Sequence, residues 1–136
     1  MKLTDELRAF LEEPRFPVLA TSYPDGRIQQ TVIWYALDGD RIILNTATGR
    51  VKDKNIRRNP KISLCWEDGY RWVTIEGTVA EIIDDQERAV ADIFAIARRY
   101  HPAASDEEID RRYANFRREQ RTTYIVEIDR VITHHF

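Results

Sequence analysis

A basic segment, residues 46–61, follows an apolar strand-like run and contains the residue types best suited to chemistry in this chain. From Arg50 to Lys61 it carries six basic residues and a single acid, Asp53, although the whole chain has a formal net charge of −2. A strand that leads through a small-residue turn into a helix places unpaired backbone N–H groups and the positive end of the helix dipole at one point. Arg50 and Lys52 would add two full charges there. The segment therefore predicts a site for a phosphorylated ligand, with a solvated basic surface helix as the alternative.

Motifs that would support hydrolysis or metal chemistry do not occur in the sequence. The three histidines, His101, His134 and His135, stand in no metal-ligand pattern, and there is no G-x-S-x-G motif. The carboxylates of residues 84–85 and 106–108 fall at predicted helix starts, where capping explains them. We therefore assign no catalytic residue and no metal ligand, and expect a bound cofactor to carry the chemistry. Aromatic residues suited to such a site are Trp34, Tyr35, Trp66, Tyr70 and Trp72.

Length and composition indicate one globular domain over residues 1–136, with 43% hydrophobic residues to build its core. Acidic and basic residues nearly balance, and no basic tract alternates with aromatics, so we do not expect a nucleic-acid partner. No segment is apolar enough for a signal peptide or a membrane span, so we expect a cytoplasmic protein that has no membrane partner. The single cysteine, Cys65, can form no intramolecular disulfide, and its strand-like surroundings predict that it is buried.

Turn residues and apolar periodicity predict about six strands with helices in the connections. Sequential strands joined by turns such as Pro24-Asp-Gly-Arg27 should pair as hairpins, which favours a small antiparallel barrel with helical decoration. The predicted strands are residues 17–23, 28–37, 41–46, 61–67, 72–83 with a bulge at Gly77, and 122–128. Helices are predicted after Thr4, within residues 50–60, after Asp84 with Glu87 as a capping box, and after Ser105 with Glu108.

Taken in order along nearly the whole chain, these motifs resemble the flavin and deazaflavin split-barrel proteins related to pyridoxamine 5′-phosphate oxidase. The resemblance is specific as a combination, although no single piece of it is. It implies a mainly β (α+β) fold, a six-stranded antiparallel split β-barrel with peripheral helices, that forms a homodimer with two cofactor sites at the subunit interface. The matching pieces are Val18-Leu-Ala-Thr-Ser22, Asp25-Gly-Arg27, Gln29-Gln-Thr-Val32, R-x-K-x-x-N-[IL]-x-x-x-P over residues 50–60, and [VI]-E-G-x-[AV] over residues 75–79.

The resemblance also implies which residues bind the cofactor. One group matches positions that hold the cofactor phosphate, a second matches the strand beside the ring system, and a third matches a strand end beneath the ring. In that order they are Arg50, Val51, Lys52 and Asn55, then Gln29, Thr31 and Val32, then Thr46 and Ala47. Trp72 corresponds to a frequently aromatic position near the site, and a core or dimer-interface aromatic is the alternative for it.

Within the family, the short form with the R-x-K-x-x-N element resembles the branch that uses coenzyme F420, a 5-deazaflavin. The longer C-terminal segment of pyridoxamine phosphate oxidases, with its substrate-binding Arg and His residues, is not expected here, and neither is that oxidation. The polyanionic F420 tail would offer partners to four further cations that a single FMN phosphate would leave unpaired. They are Lys54, Arg57, Arg58 and Lys61.

The implied function is that of an F420H2-dependent reductase, an enzyme that transfers a hydride from reduced F420 to a small organic electrophile. Three alternatives stay open. They are an FMN-binding oxidoreductase of the same fold, a carrier that binds F420 without turnover, and a non-enzymatic barrel with an empty site.

Overall fold

The computed structural model describes residues 1–136 and contains one seven-stranded antiparallel sheet with four α-helices around it. The strand order is β2-β1-β5-β6-β7-β4-β3. None of the helices combines the length and apolarity needed to cross a membrane. The strands are β1 (Val18–Ser22), β2 (Ile28–Val32), β3 (Ala36–Asp38), β4 (Arg41–Ala47), β5 (Lys61–Asp68), β6 (Arg71–Ile83) and β7 (Arg121–His134). The helices are α1 (Asp5–Glu12), α2 (Val51–Arg58), α3 (Gln86–Tyr100) and α4 (Asp106–Arg112), followed by a 3₁₀ turn, Ala114–Arg117.

The sheet closes on itself because its two end strands are consecutive in the chain. β2 and β3 stand at opposite ends of the strand order, yet only residues 33–35 separate them. The four steps from Val32 to Ala36 can span at most about 14 Å, so the two ends of the sheet must lie close together. The mainly β split-barrel architecture expected from the sequence is therefore confirmed.

The strand count is seven rather than six, because the predicted strand over residues 28–37 is interrupted. At the interruption the Tyr35 N–H donates to the Tyr100 hydroxyl at 3.3 Å instead of to a neighbouring strand. Arg99 of α3 donates to the Tyr35 carbonyl at 2.8 Å and holds the crossing segment in place. The first half of the run pairs with β1 and the second half with β4.

Two of the predicted helix caps form and one does not. The Thr4 hydroxyl accepts from the Leu7 N–H at 3.2 Å, and the Ser105 hydroxyl accepts from the Glu108 N–H at 3.2 Å. The capping box predicted at Asp84 is wrong, since Asp85 occupies the N-cap position of α3 without a side-chain cap. The Asp84 carboxylate instead accepts from Arg57 and from the Thr122 hydroxyl.

Three further predictions concern the strands, and the structure confirms one of them. A register shift between Glu76 and Gly77 confirms the predicted bulge in β6, and an added Cβ at Gly77 would lie 2.7 Å from Cγ1 of Val126. The last strand is longer than predicted and runs from Arg121 to His134. Cys65 is exposed, not buried, because it lies on the outward face of β5, between the buried Leu64 and Trp66.

The main core contains 19 buried residues that fill the barrel beneath α1. A second cluster of six buried residues lies where α3 and α4 pack beside the sheet. Tyr100 packs against both clusters, so the helical layer and the barrel are joined through it. Burial raises the pKa of Tyr100 to about 12, and its phenol stays neutral and donates to the Arg15 carbonyl.

Substitution of Tyr35 by Phe tests how strongly α1 is fastened to the barrel. The fully buried Tyr35 hydroxyl lies 2.6 Å from the Leu11 carbonyl oxygen and 2.8 Å from that of Glu13. Its loss should lower the free energy of unfolding by about 0.5–1.5 kcal/mol, because a hydrogen bond is lost while each carbonyl keeps another donor. Urea denaturation measures this, with Tyr70→Phe as the control, since Tyr70 is 88% exposed. Equal stability of the two variants would contradict the assignment.

Candidate functional site: a cationic pocket at the start of α2

A pocket of about 270 Å³ opens where β2, the end of β4, the start of α2 and the start of β7 meet. One end of it is charged and the other is apolar. The charged end is lined by Arg50, Lys52, Arg121 and Glu119, with Asn45, Thr46 and Asn115 beside them. The apolar end is lined by Val32, Ile33, Trp34, Ile93 and Phe116. This division suits an amphiphilic ligand that has an anionic group and an apolar ring.

Three cations share the charged end with a single carboxylate. Burial lowers the pKa of Lys52, and the charges of Arg50 and Arg121 lower it further. Burial likewise lowers the pKa of Arg121, and Arg50 adds to that effect while Glu119 opposes it. Like charges held together out of water raise the free energy of the protein without a ligand. A bound anion would relieve this repulsion, so the pocket is electrostatically prepared for one.

Arg121 is buried, at 5% exposure, and hydrogen bonds hold its guanidinium in one position. Its Nε donates to Oδ1 of Asn45 at 3.0 Å, and its Nη1 donates to Oε2 of Glu119 at 2.9 Å. The Asn45 amide in turn donates to the Ala89 carbonyl at 2.8 Å and to the Thr123 hydroxyl at 3.0 Å. The guanidinium is thus fixed at the pocket wall before any ligand binds.

The first turn of α2 offers backbone donors to the same place. Arg50 is the N-cap residue of this helix, and no side chain caps it. The initial N–H groups of a helix have no intrahelical acceptor, and the helix dipole adds partial positive charge at that end. The neighbouring turn has Gly49 at φ +90°, a left-handed conformation that glycine adopts without strain.

A buried carboxylate, Asp53, fixes the turn that carries Arg50. Its Oδ2 accepts from the Gly49 N–H at 2.8 Å, and its Oδ1 accepts from Nε of Arg57 at 2.9 Å and from the Tyr124 hydroxyl. Burial, and then the Asp53 hydrogen bond, raise the pKa of Tyr124, so this phenol remains a donor. Asp53 is only 2% exposed, and these three bonds compensate its lost hydration.

Arg57 extends this network to the start of α3. Its Nη1 and Nη2 donate to the two carboxylate oxygens of Asp84 at 3.0 and 2.6 Å, and Nη2 also reaches the Thr122 hydroxyl at 3.1 Å. The Asp84 hydrogen bonds raise the pKa of Arg57 above its ordinary value. The Thr48 and Thr122 hydroxyl oxygens lie 2.7 Å apart and complete the tie between the turn and β7. Side chains from four separate elements therefore position the charged end.

The apolar end is backed by stacked aromatic rings. Trp34 is stacked on Tyr100 with ring centroids 5.0 Å apart, and it meets Tyr113 edge-on at 5.5 Å. Tyr113 stacks on Phe116 at 5.0 Å, and the Arg121 guanidinium lies over the Phe116 ring at 4.8 Å. Aromatic walls of this kind present a flat, dry surface to a ring-shaped ligand.

The structure brings together four of the ten residues that the sequence predicted to bind a cofactor. They are Val32, Thr46, Arg50 and Lys52. Three others directly flank these in the chain, namely Thr31, Ala47 and Val51. The buried hydroxyl oxygen of Thr31 has no hydrogen-bond partner within the chain, but Thr31 does not line the pocket, since it faces the other side of β2 from Val32.

The remaining three predicted residues lie elsewhere. Gln29 and Asn55 meet at Thr21, outside the residues that line the pocket: Oε1 of Gln29 accepts from the Thr21 hydroxyl at 3.2 Å, and Nδ2 of Asn55 donates to the same hydroxyl at 3.1 Å. Trp72 is stacked on His134 with ring centroids 5.6 Å apart, outside the residues that line the pocket. Their role toward a cofactor stays a prediction.

Of the four cations that the sequence offered to a polyanionic tail, three have partners within the chain. Arg57 pairs with Asp53 and Asp84, Arg58 donates to the Ser22 carbonyl, and Lys61 donates to the Thr78 hydroxyl at 2.8 Å. Only Lys54 is exposed and without a partner in the chain. These cations therefore do not form a continuous unpaired basic surface that could bind a polyanionic tail.

Sequence reasoning missed Arg121, Glu119 and Asn45, which complete the charged end. Asn45 and Arg121 are 76 residues apart, and no spacing rule connects them. Of the predicted aromatics, Trp34 reaches the pocket, whereas Tyr35 and Trp66 are core residues. The only sequence feature that could have indicated Arg121 is its position as a basic residue directly before the predicted last strand.

Sequence comparison connects the chain to known proteins over almost its whole length. The family model described as pyridoxamine 5′-phosphate oxidase matches residues 3–134. A pyridoxine/pyridoxamine 5′-phosphate oxidase from Rubrobacter xylanophilus is 34% identical over 125 residues, which cover 84% of this chain and 58% of that protein. One from Bacteroides thetaiotaomicron is 32% identical over 87 residues, or 62% of this chain and 41% of that protein. The chain thus spans less than two thirds of the length of these relatives.

Structural comparison finds the same architecture in solved proteins. A structure described as an F420 reductase is similar with a TM-score of 0.78 and 26% identity, over 96% of this chain and 98% of that one. A conserved hypothetical protein from Mycobacterium tuberculosis is similar with a TM-score of 0.77 and 28% identity, over 97% of this chain and 84% of that one.

The lowered pKa of Lys52 predicts that anion binding takes up protons in alkaline solution. In the protein without a ligand, the Lys52 ammonium loses its proton at a lower pH than an ordinary lysine does. A bound anion favours the charged form of Lys52 and raises its pKa again. The affinity for inorganic phosphate should therefore fall as the pH rises above the pKa that Lys52 has in the protein without a ligand. Calorimetric titration in two buffers of different ionisation enthalpy measures the uptake. Lys52→Arg should abolish it, because a guanidinium stays protonated; equal uptake by both proteins would assign the proton elsewhere.

Proposed function

Because the chain belongs to the pyridoxamine 5′-phosphate oxidase family of oxidoreductases, we propose that it is an F420H2-dependent reductase. In this proposal the pocket at the start of α2 holds the deazaflavin coenzyme F420, and the substrate is a small organic electrophile. The observation that carries the proposal is the gathering of Arg50, Lys52 and Arg121 around one pocket that also has an aromatic wall.

The residues present fit a cofactor that joins a phosphate to a flat ring. The three cations and the uncapped first turn of α2 supply donors for the phosphate. The aromatic wall that includes Trp34 and Phe116 suits the apolar face of a ring system. Both F420 and FMN meet this description.

The preference for F420 over FMN rests on structural likeness. The structure described as an F420 reductase matches this chain from end to end, at an identity of 26%. The pairing of Arg57, Arg58 and Lys61 within the chain removes one argument for a polyanionic tail, so FMN stays the alternative cofactor. An F420 carrier without turnover is the second alternative.

In this function the chain's own residues bind and orient rather than react. Bound reduced deazaflavin would supply the hydride that the substrate accepts. Arg50 and Lys52 hold the phosphate by charge-assisted hydrogen bonds, and the network behind them keeps their positions fixed. The wall of Trp34 and Phe116 orients the ring for transfer. The proton that completes the reduction comes from water or a nearby hydroxyl, and no side chain is assigned as its donor.

We also propose that the protein acts as a homodimer in which a second copy covers β2. The outward face of this end strand exposes Ile28 at 60% and Val32 at 61%. Val32 lines the pocket as well, so the pocket opens onto this apolar face. At about 270 Å³ the pocket is slightly smaller than typical ligand pockets, and a partner seated on β2 would add a further wall.

Parallel titration of cofactor-stripped protein with F420 and with FMN tests the cofactor proposal. Fluorescence anisotropy at two salt concentrations should show tight, salt-sensitive binding of F420 and weak binding of FMN. Lys52→Ala should weaken F420 binding about tenfold, because a charge-assisted contact is lost. Lys54→Ala is the matched control and should have little effect, since Lys54 is exposed and outside the pocket.

The opposite preference would move the protein to the FMN-dependent branch, and binding of neither cofactor would contradict both assignments. Reduced F420 mixed with candidate electrophiles separates a reductase from a carrier. A reductase oxidises the cofactor only when substrate is present, whereas a carrier binds it without turnover.

Ile28→Asp should convert the proposed dimer to a monomer. A carboxylate in the middle of an apolar interface loses its hydration without gaining a partner. Light scattering coupled to size-exclusion chromatography gives the mass of each species. Ile82→Asp, at a residue that is 38% exposed on β6, is the control and should keep the parent mass. A parent protein that elutes as a monomer at every concentration would rule the dimer out.

A further inference from the structure

The charged end of the pocket contains one acid, and that acid pairs with Arg121, one of the cations that a ligand would use. Glu119 lines the pocket together with Arg50, Lys52 and Arg121. Its Oε2 accepts from Nη1 of Arg121 at 2.9 Å. Its Oε1 accepts from Nδ2 of Asn115 at 2.6 Å. The carboxylate therefore occupies a donor edge of the most rigidly held cation in the pocket.

We propose that Glu119 is a specificity-determining residue of this pocket, an internal anion that competes with the ligand's phosphate for Arg121 and limits how much negative charge the pocket accepts. The inference rests on the proposed ligand site, in which Arg121 is one of three anion-binding cations. The ligand class is a compound with one phosphate group.

Charge counting gives the reason for this limit. Three cations and one carboxylate leave a net charge of +2 in the pocket. A single phosphate monoester or diester can be neutralised there, whereas the additional charge of a pyrophosphate meets the Glu119 carboxylate. Like charges at close range in a partly buried site repel by amounts that change affinity severalfold.

Glu119 remains ionised at neutral pH, as the proposal requires. Burial alone would raise the pKa of its carboxyl, but the hydrogen bonds from Asn115 and Arg121 and the charges of Arg121 and Arg50 outweigh burial and lower it. Its side chain is 27% exposed, and that of Arg121 is 6% exposed. The acid is thus at the open side of the pair, where it can swing away when a ligand enters.

An alternative role for Glu119 is to orient the Arg121 guanidinium. This role predicts the opposite effect of removing Glu119 on anion binding. If the acid only fixed the guanidinium, its removal would weaken or preserve anion binding. Asn45 already holds Nε of Arg121 at 3.0 Å, so the guanidinium keeps one anchor when the acid is neutralised. Competition therefore predicts tighter binding, a result that misfolding cannot produce.

Calorimetric titration of Glu119→Gln with inorganic phosphate and with pyrophosphate, at fixed pH and salt, tests the inference. The variant should bind phosphate about three- to tenfold more tightly than the parent, and its gain for pyrophosphate should be larger. The fold should be retained, because the glutamine oxygen can still accept from Arg121 and the exposed Asn115 amide can rotate to accept from the glutamine.

Asp110→Asn is the matched control. It removes the same charge from another carboxylate that pairs with an arginine, Arg117 at 3.2 Å, outside the residues that line the pocket. It should leave both affinities unchanged. Arg121→Lys should weaken phosphate binding severalfold, because the guanidinium fork is lost while the charge is kept.

Unchanged or weaker phosphate binding by Glu119→Gln would overturn the inference, and so would an equal gain in Asp110→Asn. Its failure is distinct from failure of the proposed function. Tighter phosphate binding by Glu119→Gln in a protein that binds neither F420 nor FMN would uphold the inference and reject the cofactor assignment. Cofactor binding without any gain in Glu119→Gln would do the reverse.

Discussion

Pairing of β7 with β4 on one side and β6 on the other is the constraint on which the ligand pocket depends. The first six residues of this strand, Arg121 to Val126, are all buried, because one of its faces meets the barrel core and the other meets the helices. The register with β4 sets Arg121 opposite Ala47 and Thr122 opposite Thr46. This register places the buried cation Arg121 and the hydroxyl of Thr122 next to the turn that begins α2.

The charged end of the pocket is held open by hydrogen bonds rather than by apolar packing. Burial of Asp53 and Arg121 is costly, and each of these groups is compensated by several hydrogen bonds and an ion pair. A network of this kind has one low-energy geometry, since breaking any bond leaves a charge exposed to an apolar environment. The consequence is a preorganised anion site, in which little rearrangement is needed when a phosphate binds.

Charge and shape act on different parts of the ligand. Burial lowers the pKa of Lys52 and of Arg121, and the charge of Arg50 lowers both further, so an anion is the group that best relieves the crowding of cations. The aromatic wall carries no charge preference and selects for a flat ring through contact area. Together they describe a cofactor of the flavin type, and the internal carboxylate of Glu119 then adjusts how strongly its phosphate is held.

Most of the secondary structure, the basic helix start and the family could be predicted from the sequence, because these depend on local patterns. Turn residues fix hairpins, a hydroxyl at Thr4 or Ser105 caps a helix, and the spacing of Arg50 and Lys52 lies within one turn. Long-range packing makes Asp84 bind Arg57 instead of capping α3, turns Cys65 outward, and breaks the strand after Ile28 to close the barrel. It also brought Arg121 and Glu119 to the pocket. The physical reason is that β-sheet pairing joins residues far apart in the chain, and no local spacing records which of them will share a register.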